Sequence, residues 1–399
     1  MISINKKKDC CGCTGCASVC PKHCITMVAD EEGFLYPQVE IDKCINCSLC
    51  EKVCPIINKP LVGEEERKSF VVRSKDEHIL TMSTSGGAFL PMVKKVLSLG
   101  GIVCSATYDK DFRIVHEIIS EKNNSYLEKF AGSKYVQSDI RGLFKIIREN
   151  LALEKFVLFA GTPCQVAGLK NYLGKDYEQL LTVDVVCHGV GSPLFWEKYL
   201  ECQTGKFKSE IEKISFRKKT YGYHSSTMAI CFKNGKIYYG SGRIDYFLKG
   251  YFFGLLSRPI CYSCPFKEVN RCSDFTIYDC WNPTALNSDI QEDDKGYTNI
   301  IIQSKKGEIF FETLKNDYFH FKSNTEKAIQ MDGIMAIKSD SPHVKRKEFF
   351  KTFEQEDLKV HIRKFIFISK KDYFVERLKG IFYRLKILQL LKKIRRKKK

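Results

Sequence analysis

The first 55 residues contain one cysteine pattern twice: four cysteines and a proline spaced as C-x2-C-x2-C-x3-C-P. The first copy lies in CCGCTGCASVCP, which begins at Cys10, and the second in CINCSLCEKVCP, which begins at Cys44. Three thiolates on one tight loop can hold one face of a metal cluster. Since metal ligation supplies folding energy to small segments, this one is expected to fold around bound metal.

The spacing favours two 4Fe–4S clusters. In bacterial two-cluster ferredoxins, three cysteines of such a run hold one cube, and the fourth ligates the other cube. The predicted ligands of the first cluster are Cys10, Cys13, Cys16 and Cys54. Those of the second cluster are Cys44, Cys47, Cys50 and Cys20.

Two other uses of these cysteines are weaker. A zinc site usually has C-x2-C pairs separated by a longer spacer. A disulfide framework is expected in secreted chains, and no secretory signal precedes the motif. Cys11 and Cys24 are left over, and we interpret them as small residues packed beside the clusters.

Composition limits the class of protein. The 399 residues are enough for two or three domains, and no run of about eighteen apolar residues is present to span a membrane. Nineteen cysteines indicate a reducing, cytoplasmic environment and metal chemistry. The formal charge of +18 falls to nearer +14 if two bound cubes carry about −2 each. Such charge suits an acidic redox partner, anionic lipid or nucleic acid.

Two consecutive strand–loop–helix units follow further along the chain, in FVLFAGTPCQVAGLKNYL and LLTVDVVCHGVGSPLFWEKYL. In a parallel sheet both loops lie at the carboxyl ends of the strands, where α/β proteins bind ligands. Cys164 and Cys187 lie in these loops. The pattern therefore predicts that two separate segments direct a cysteine into one crevice.

A third metal centre is an open alternative. Cys261 and Cys264 form a C-x2-C pair, which is half of a metal site. The other half is either Cys164 with Cys187, or Cys272 with Cys280. The remaining interpretation is that all of them are buried free thiols.

Helix starts with free backbone N–H groups suit a pyrophosphate, such as that of a flavin dinucleotide. Two segments qualify, Ser85-Gly86-Gly87 and residues 161–165, and Lys134 supplies a nearby cation. The alternatives are an ordinary glycine-rich turn and a solvated lysine. No Walker A loop and no G-x-G-x-x-G after a strand is present.

Several stretches occur in an order that resembles a known family: STSGGAF, GSKYVQS, FAGTPCQVAGL, CHGVGSP, SFRKK, CYSCPF and SDFTIYDCW. The chain resembles the beta subunit of coenzyme F420 hydrogenase/dehydrogenase, in the form with an N-terminal dicluster ferredoxin domain. The resemblance covers roughly residues 10–350. It implies an FAD-binding α/β domain in which the flavin exchanges a hydride with a deazaflavin or another two-electron acceptor.

The resemblance also implies site residues. Flavin contacts carry over onto Ser85, Gly86, Gly87, Lys134, Gly161, Thr162 and Gln165. Cluster ligation carries over onto Cys261 and Cys264, together with Cys164 and Cys187.

The predicted fold is an α+β ferredoxin-like dicluster module followed by an α/β flavin-binding domain with a helical C-terminal part. The predicted segments are 1–57 for the module, 58–68 for a linker, 69–150 and 151–350 for the two parts of the F420-type domain, and 351–399 for a basic helical tail.

The predicted function is a cytoplasmic iron–sulfur flavoprotein oxidoreductase. Its partners would be a redox donor or acceptor protein and a small two-electron substrate. The alternative is an electron-transfer adaptor without a substrate of its own. A nucleic-acid-binding role ranks last, because the basic run lacks interleaved aromatic residues.

The tail carries eleven Lys/Arg and no acidic residue between Arg377 and Lys399. From Phe374 onward, apolar residues recur at steps of three and four: Phe374, Leu378, Phe382, Leu385 and Leu388. Such a basic amphipathic helix can lie on an anionic membrane surface. Alternatively, the apolar stripe packs on the protein's own domain.

Overall fold

A computed structural model of the chain describes residues 1–64, 66–121, 127–353 and 356–388. The chain divides into two compact units. The first consists of Met1–Trp196 with Ser257–Ser341, and the second of Glu197–Leu256 with Pro342–Lys399.

The N-terminal module repeats one local geometry. Each cysteine loop leads into a short helix, α1 (Gly15–Val19) or α2 (Leu49–Lys52), and an antiparallel hairpin of β1 (Ile25–Ala29) and β2 (Leu35–Val39) lies between them. The residues before the two helices, Thr14 and Ser48, both have left-handed backbone with φ of 63° and 57°. This matching geometry supports the interpretation of the module as an internal repeat.

An eight-stranded sheet forms the centre of the first unit, in the order β13-β3-β12-β11-β7-β6-β4-β5. Its strands are β3 Lys68–Ser74, β4 Ile102–Tyr108, β5 Ile114–Ser120, β6 Val157–Gly161, β7 Leu180–Val185, β11 Phe275–Cys280, β12 Tyr297–Ile302 and β13 Tyr318–Ser323. The pairings make β3, β4, β6, β7 and β11 parallel to one another, and β5, β12 and β13 antiparallel to them. The carboxyl ends of five strands therefore meet at one edge.

Both faces of this sheet are covered, which explains the near-continuous apolar character of its strands. The helices of the first unit are α3 Glu77–Met82, α4 Phe89–Ser98, α5 Leu127–Phe130, α6 Leu143–Ala152, α7 Pro163–Leu173, α10 Pro283–Leu286, α11 Lys305–Glu312 and α12 Thr325–Asp332. Helices α4 and α11 pack on one face against Val103 and Leu158, while α6 and α7 pack on the other against Cys104 and Phe159.

The two predicted strand–loop–helix units are confirmed, and they place β6 beside β7 in parallel with Gly161 opposite Asp184. Strands β4 and β5 form an antiparallel hairpin, and Pro91 lies in the first turn of α4. The first unit thus combines a mixed α/β sheet domain with an N-terminal module of two cysteine loops, two short helices and one hairpin.

The second unit contains a three-stranded antiparallel sheet of β8 (Ile211–Lys218), β9 (Thr227–Phe232) and β10 (Ile237–Gly240). A turn at Asn234-Gly235 joins the last two strands, and Gly235 has a φ of +78°. Its helices are α9 Tyr246–Phe252, α13 Arg346–Lys351, α14 Leu358–Phe365 and α15 Lys370–Arg384, and α8 (Pro193–Phe207) leads into it.

The C-terminal third of the chain is not entirely helical. Strand β13 interrupts the helices there and pairs along its whole length with β3, from Tyr318 opposite Ser74 to Ser323 opposite Ser69. The edge of the sheet supplies the hydrogen-bonding partner that this short stretch lacks locally. Among the described residues, no helix is both long and apolar enough to span a membrane.

Candidate functional site

Three cysteines of the first predicted set come together in the structure. Cys10 lies in the loop before α1, Cys16 lies within α1, and Cys54 follows α2. Burial, followed by the charges of Cys10 and Cys54, raises the pKa of Cys16 to about 12. The three thiols are therefore close enough to repel one another when ionised. Cys13, on the same loop, is buried against Gly168 of α7.

The second predicted set lines one cavity. Its cysteines are Cys20, Cys44, Cys47 and Cys50, together with Cys24, which lies 3.4 Å from Cys20 Sγ to Sγ. The empty space in this cavity, counted out to its mouth, is about 360 Å³. Cys20 from the first run thus meets three cysteines of the second run. Cys47 is exposed, so this site reaches the surface of the module.

The placement of the cysteine side chains suits 4Fe–4S cubes better than single metal ions. In the described part of the chain, no three His, Cys, Asp or Glu side chains converge as ligands of one metal ion. The ligands of a four-iron cube bind different iron atoms and so stand farther apart. All nineteen cysteines are free thiols, which also excludes a disulfide framework in this structure.

A third group of cysteines lines a cavity at the carboxyl ends of β6 and β7, whose empty space, counted out to its mouth, is about 500 Å³. Cys164 is in the first turn of α7, Cys187 follows β7, and Cys261 lies in a 3-10 turn at Pro259–Ser263. The cavity cysteines are Cys11, Cys164, Cys187, Cys261 and Cys264. Burial raises the pKa of Cys187 to about 12, and the neighbouring thiolates of Cys164 and Cys264 add to this.

Cations surround this third group. Lys267 donates from Nζ to the carbonyl oxygens of Cys187 at 2.5 Å and Met335 at 2.7 Å. Its charge opposes the rise in the pKa of Cys187. Arg271 also lines the cavity, where its Nη1 pairs with the buried Asp184 at 2.9 Å. Such a setting lowers the cost of gathering several thiolates in one place.

The two rival cysteines lie elsewhere. Cys272 lines a different cavity, together with Lys59 and Glu268. Cys280 is fully buried at the end of β11, in the apolar cluster that also contains Ile301. The structure therefore brings Cys164 and Cys187 to Cys261 and Cys264, and leaves the alternative pair apart.

Cys11 connects the first and third groups. The sequence suggests only simple packing for it, yet its side chain contacts both Cys13 and Cys164. Hydrogen bonding to Cys13, together with burial, raises the pKa of Cys11 well above its usual value, while Cys164 acts in the opposite direction. Nothing in the local sequence could reveal this contact, because Cys164 is far away along the chain.

The first segment predicted to contact a flavin, Ser85-Gly86-Gly87, packs against the sheet. Gly86 donates its N–H to Thr298 Oγ1 at 2.9 Å, and its carbonyl accepts from the Ser74 N–H at 2.8 Å. A Cβ at Gly86 would lie 2.5 Å from the carbonyl oxygen of Val72. Glycine is required here by close packing, and this N–H is already used within the protein. Ser85 Oγ also lies 2.8 Å from Thr298 Oγ1.

Lys134 lies beside this segment. Its neighbour Ser133 donates its N–H to Thr84 Oγ1 at 2.9 Å. Lys134 Nζ donates to the carbonyl oxygens of Lys129 and Ala131 at 2.7 and 3.0 Å. Burial lowers the pKa of Lys134 to about 7. An anion bound next to it would stabilise its charged form.

The second segment predicted to contact a flavin, residues 161–165, is hydrogen-bonded to the chain that follows Lys134. Thr162 and Gln165 form the capping box that starts α7, with the Thr162 N–H donating to Gln165 Oε1 at 2.9 Å. Gln165 Nε2 donates to Ser138 Oγ at 3.0 Å. Ser138 Oγ in turn lies 2.9 Å from His116 Nδ1. Residues 84–87, 131–138 and 161–165 are therefore linked by hydrogen bonds at one edge of the sheet.

Comparison with known proteins gives two family matches. Residues 154–327 match the model for the C terminus of the coenzyme F420 hydrogenase/dehydrogenase beta subunit. Residues 9–56 match the 4Fe-4S dicluster domain. No curated protein sequence matches the chain.

Among solved structures, a chain of the F420-reducing [NiFe] hydrogenase complex from Methanosarcina barkeri is similar at 16% identity and a TM-score of 0.43. The match covers 75% of this chain and 92% of that chain. The chain therefore combines an N-terminal 4Fe–4S dicluster domain with a segment similar to the C terminus of the coenzyme F420 hydrogenase/dehydrogenase beta subunit.

Proposed function

We propose that this chain is an iron–sulfur flavoprotein oxidoreductase that passes electrons between a partner protein and FAD through three cysteine-bound clusters. The observation that carries the proposal is the contiguity of the cysteines. Cys11 contacts both Cys13 of the first set and Cys164 of the third, while Cys20 lies beside the second run and Cys54 near Cys16 of the first. A continuous path of cysteine sites thus leads from the module to the sheet edge.

The proposed ligands follow from this placement. The two N-terminal clusters use the eight cysteines of the repeated motif, with Cys54 completing the first set and Cys20 the second. The third cluster uses Cys164, Cys187, Cys261 and Cys264. When bound, clusters of this kind carry single electrons and a flavin carries two.

Electrons are proposed to enter or leave at the second N-terminal set. Its ligand Cys47 is exposed, whereas Cys13 of the first set is buried. Exposed apolar side chains lie close by in sequence, at Ile41 and Ile45. An apolar surface around an accessible cluster suits a short-lived contact with a redox protein.

FAD is proposed at the wall formed by residues 84–87, 131–138 and 161–165, with hydride exchange to a deazaflavin-like or other two-electron substrate. The support is the convergence of these segments and the proximity of Lys134. The Gly86 N–H and the Gln165 amide are used within the protein. We therefore assign the electrostatic contact with the flavin to Lys134 and give the glycines a packing role.

The flavin proposal is tested by Lys134→Met, with Lys145→Met on the exposed side of α6 as the matched control. We expect Lys134→Met to lose most of its bound FAD during anaerobic purification, and Lys145→Met to retain it. Undiminished FAD in Lys134→Met would place the flavin elsewhere. If the wild-type chain carries clusters but never binds a flavin, it acts instead as an electron-transfer adaptor.

Helix α15 supports peripheral attachment to an anionic membrane. Lys379 Nζ lies 5.1 Å from the ring centroid of Tyr221 and pairs with Glu376 at 2.8 Å. Of the apolar side chains, Phe374 and Ile381 remain 61% and 42% exposed, whereas Leu378 and Phe382 are half-buried. The helix therefore packs only part of its apolar surface and leaves the rest open.

The same helix carries exposed cations, namely Lys370, Lys371, Arg377 and Arg384. Each cation close to an anionic lipid surface contributes about 1 kcal/mol. Residues 389–399, which carry the remaining basic run, lie outside the described residues. The charge and the exposed stripe together favour a lipid surface over further packing.

Flotation with vesicles tests the attachment. We expect the full chain to bind phosphatidylcholine vesicles that contain phosphatidylserine at low salt, and not pure phosphatidylcholine. Phe374→Ser combined with Ile381→Ser should abolish binding, while Ile237→Ser, an exposed control in β10, should not. Equal binding by the double variant and the control would refute the role of α15.

A further inference from the structure

Arg258 is fully buried, with 0% of its surface exposed, at the junction of the N-terminal module and the sheet domain of the first unit. Its Nε donates to the carbonyl oxygen of Cys10 at 2.8 Å, and Nη2 donates to that of Leu35 at 2.9 Å. Nη1 donates to Gln137 Oε1 at 2.7 Å. The guanidinium also stacks on Tyr36, 4.1 Å from the ring centroid.

This cation has no carboxylate partner in the part of the chain that the structure describes. Two other buried arginines show the usual arrangement: Arg73 pairs with Asp293 at 2.8 Å, and Arg271 pairs with Asp184 at 2.9 Å. A buried charge is costly unless an opposite charge compensates it. The hydrogen bonds to carbonyl and amide oxygens satisfy the geometry of Arg258 but leave its charge uncompensated.

The loop of the first cysteine set lies against this guanidinium, through the carbonyl oxygen of Cys10. Burial raises the pKa of Cys10, and the charge of Arg258 is the largest influence that opposes the rise. The guanidinium lies directly beneath the cysteine loop, since a Cβ at Gly12 would be 2.7 Å from Arg258 Nη1. The Cys261 N–H donates to the Arg258 carbonyl at 2.9 Å, so the same residue also fixes the turn that presents a third-set cysteine.

We propose that Arg258 is the buried counter-charge of the cluster held by Cys10, Cys13, Cys16 and Cys54, and that its guanidinium raises the reduction potential of that cluster. A 4Fe–4S cube with four thiolates is anionic and gains a further negative charge when it is reduced. A fixed cation beside it therefore stabilises the reduced form more than the oxidised form. The proposal rests on the presence of this cluster, as proposed above.

The test is a redox titration of the anaerobically purified full chain, followed by electron paramagnetic resonance. The signal of this cluster is assigned as the one that changes in Cys16→Ser. We expect Arg258→Gln to shift its midpoint to lower potential, and Arg258→Lys, which keeps the charge, to remain close to wild type. Arg73→Gln is the matched control for loss of a buried arginine and should leave the midpoint unchanged.

Each outcome decides the question. Loss of the cluster in Arg258→Gln but not in Arg258→Lys would also support the proposal, because charge rather than shape is then required. An unchanged midpoint in Arg258→Gln, or equal loss of the cluster in both variants, would overturn it. The iron and sulfide content of the wild type tests the proposed function separately. A wild-type chain without iron would refute the proposed function, and with it the cluster on which this inference depends.

Discussion

A single methyl group at Gly168 should disturb the first cluster. Gly168 lies in α7, and a Cβ added there would be 2.8 Å from both Cβ and Sγ of Cys13. Carbon atoms in good contact are about 3.5–4.0 Å apart, so the cysteine loop must move by about 1 Å. Overpacking of this kind costs about 1–3 kcal/mol. The gain in helix propensity from Gly to Ala, about 1 kcal/mol, offsets only part of it.

Gly205 provides the matched control. It lies in α8, and a Cβ added there would meet no atom within 4 Å. Gly205→Ala therefore gains helix propensity without a clash and should be stabilised by about 0.5–1 kcal/mol. We expect Gly168→Ala to be less stable than Gly205→Ala by about 1–3 kcal/mol, the size of the overpacking cost.

The assay is thermal unfolding of both variants under anaerobic conditions, with iron and sulfide content and the resonance spectrum of the reduced clusters. We expect Gly168→Ala to lose iron or to show a changed signal from the first cluster, while Gly205→Ala keeps the wild-type content and spectrum. Identical iron content, spectra and unfolding temperatures in the two variants would refute the packing of α7 against the first cysteine loop.

Three further outcomes are expected. Cys264→Ser should lower the iron content of the purified chain, whereas Cys272→Ser should not, because only Cys264 lines the third cavity; equal iron loss would contradict this grouping. Burial lowers the pKa of His116 from 6.5 to about 4, so the unfolded chain binds more protons between these pH values. The free energy of unfolding should therefore rise with pH across this window, and chemical denaturation should show a smaller rise in His116→Gln. Burial raises the pKa of Asp245 from 3.8 to about 6, so its contribution to the free energy of unfolding falls as the pH rises between those values. Asp245→Asn should remove this fall, and a pH profile identical to wild type would show that the residue does not titrate there.

The sequence predicted the parts of the site whose geometry is encoded locally. The doubled cysteine spacing predicted an exchange of Cys20 and Cys54 between the two sets, and the structure places Cys20 beside the second run and Cys54 near Cys16. The positions of Cys164 and Cys187 followed from strand–loop–helix units, since parallel neighbouring strands place their following loops together.

Contacts between distant segments could not be predicted in this way. Cys11 meets Cys164, and Arg258 meets Cys10, only because the module and the sheet domain pack together in one unit. Strand β13 was missed for a similar reason, since its partner β3 is more than two hundred residues earlier. The role of Gly86 also depended on tertiary packing. The glycine-rich helix start suggested a free backbone N–H, but Gly86 donates its N–H to the Thr298 hydroxyl.

The central claim is that three cysteine sets form one path of iron–sulfur sites. The most direct test is the iron and acid-labile sulfide content of the chain purified anaerobically from an iron-replete host, with Mössbauer spectroscopy to identify the cluster type. We expect about twelve iron and twelve sulfide per chain, all in 4Fe–4S clusters, falling to about eight in Cys264→Ser. Zinc in place of iron, or about eight iron in both the wild type and Cys264→Ser, would contradict it.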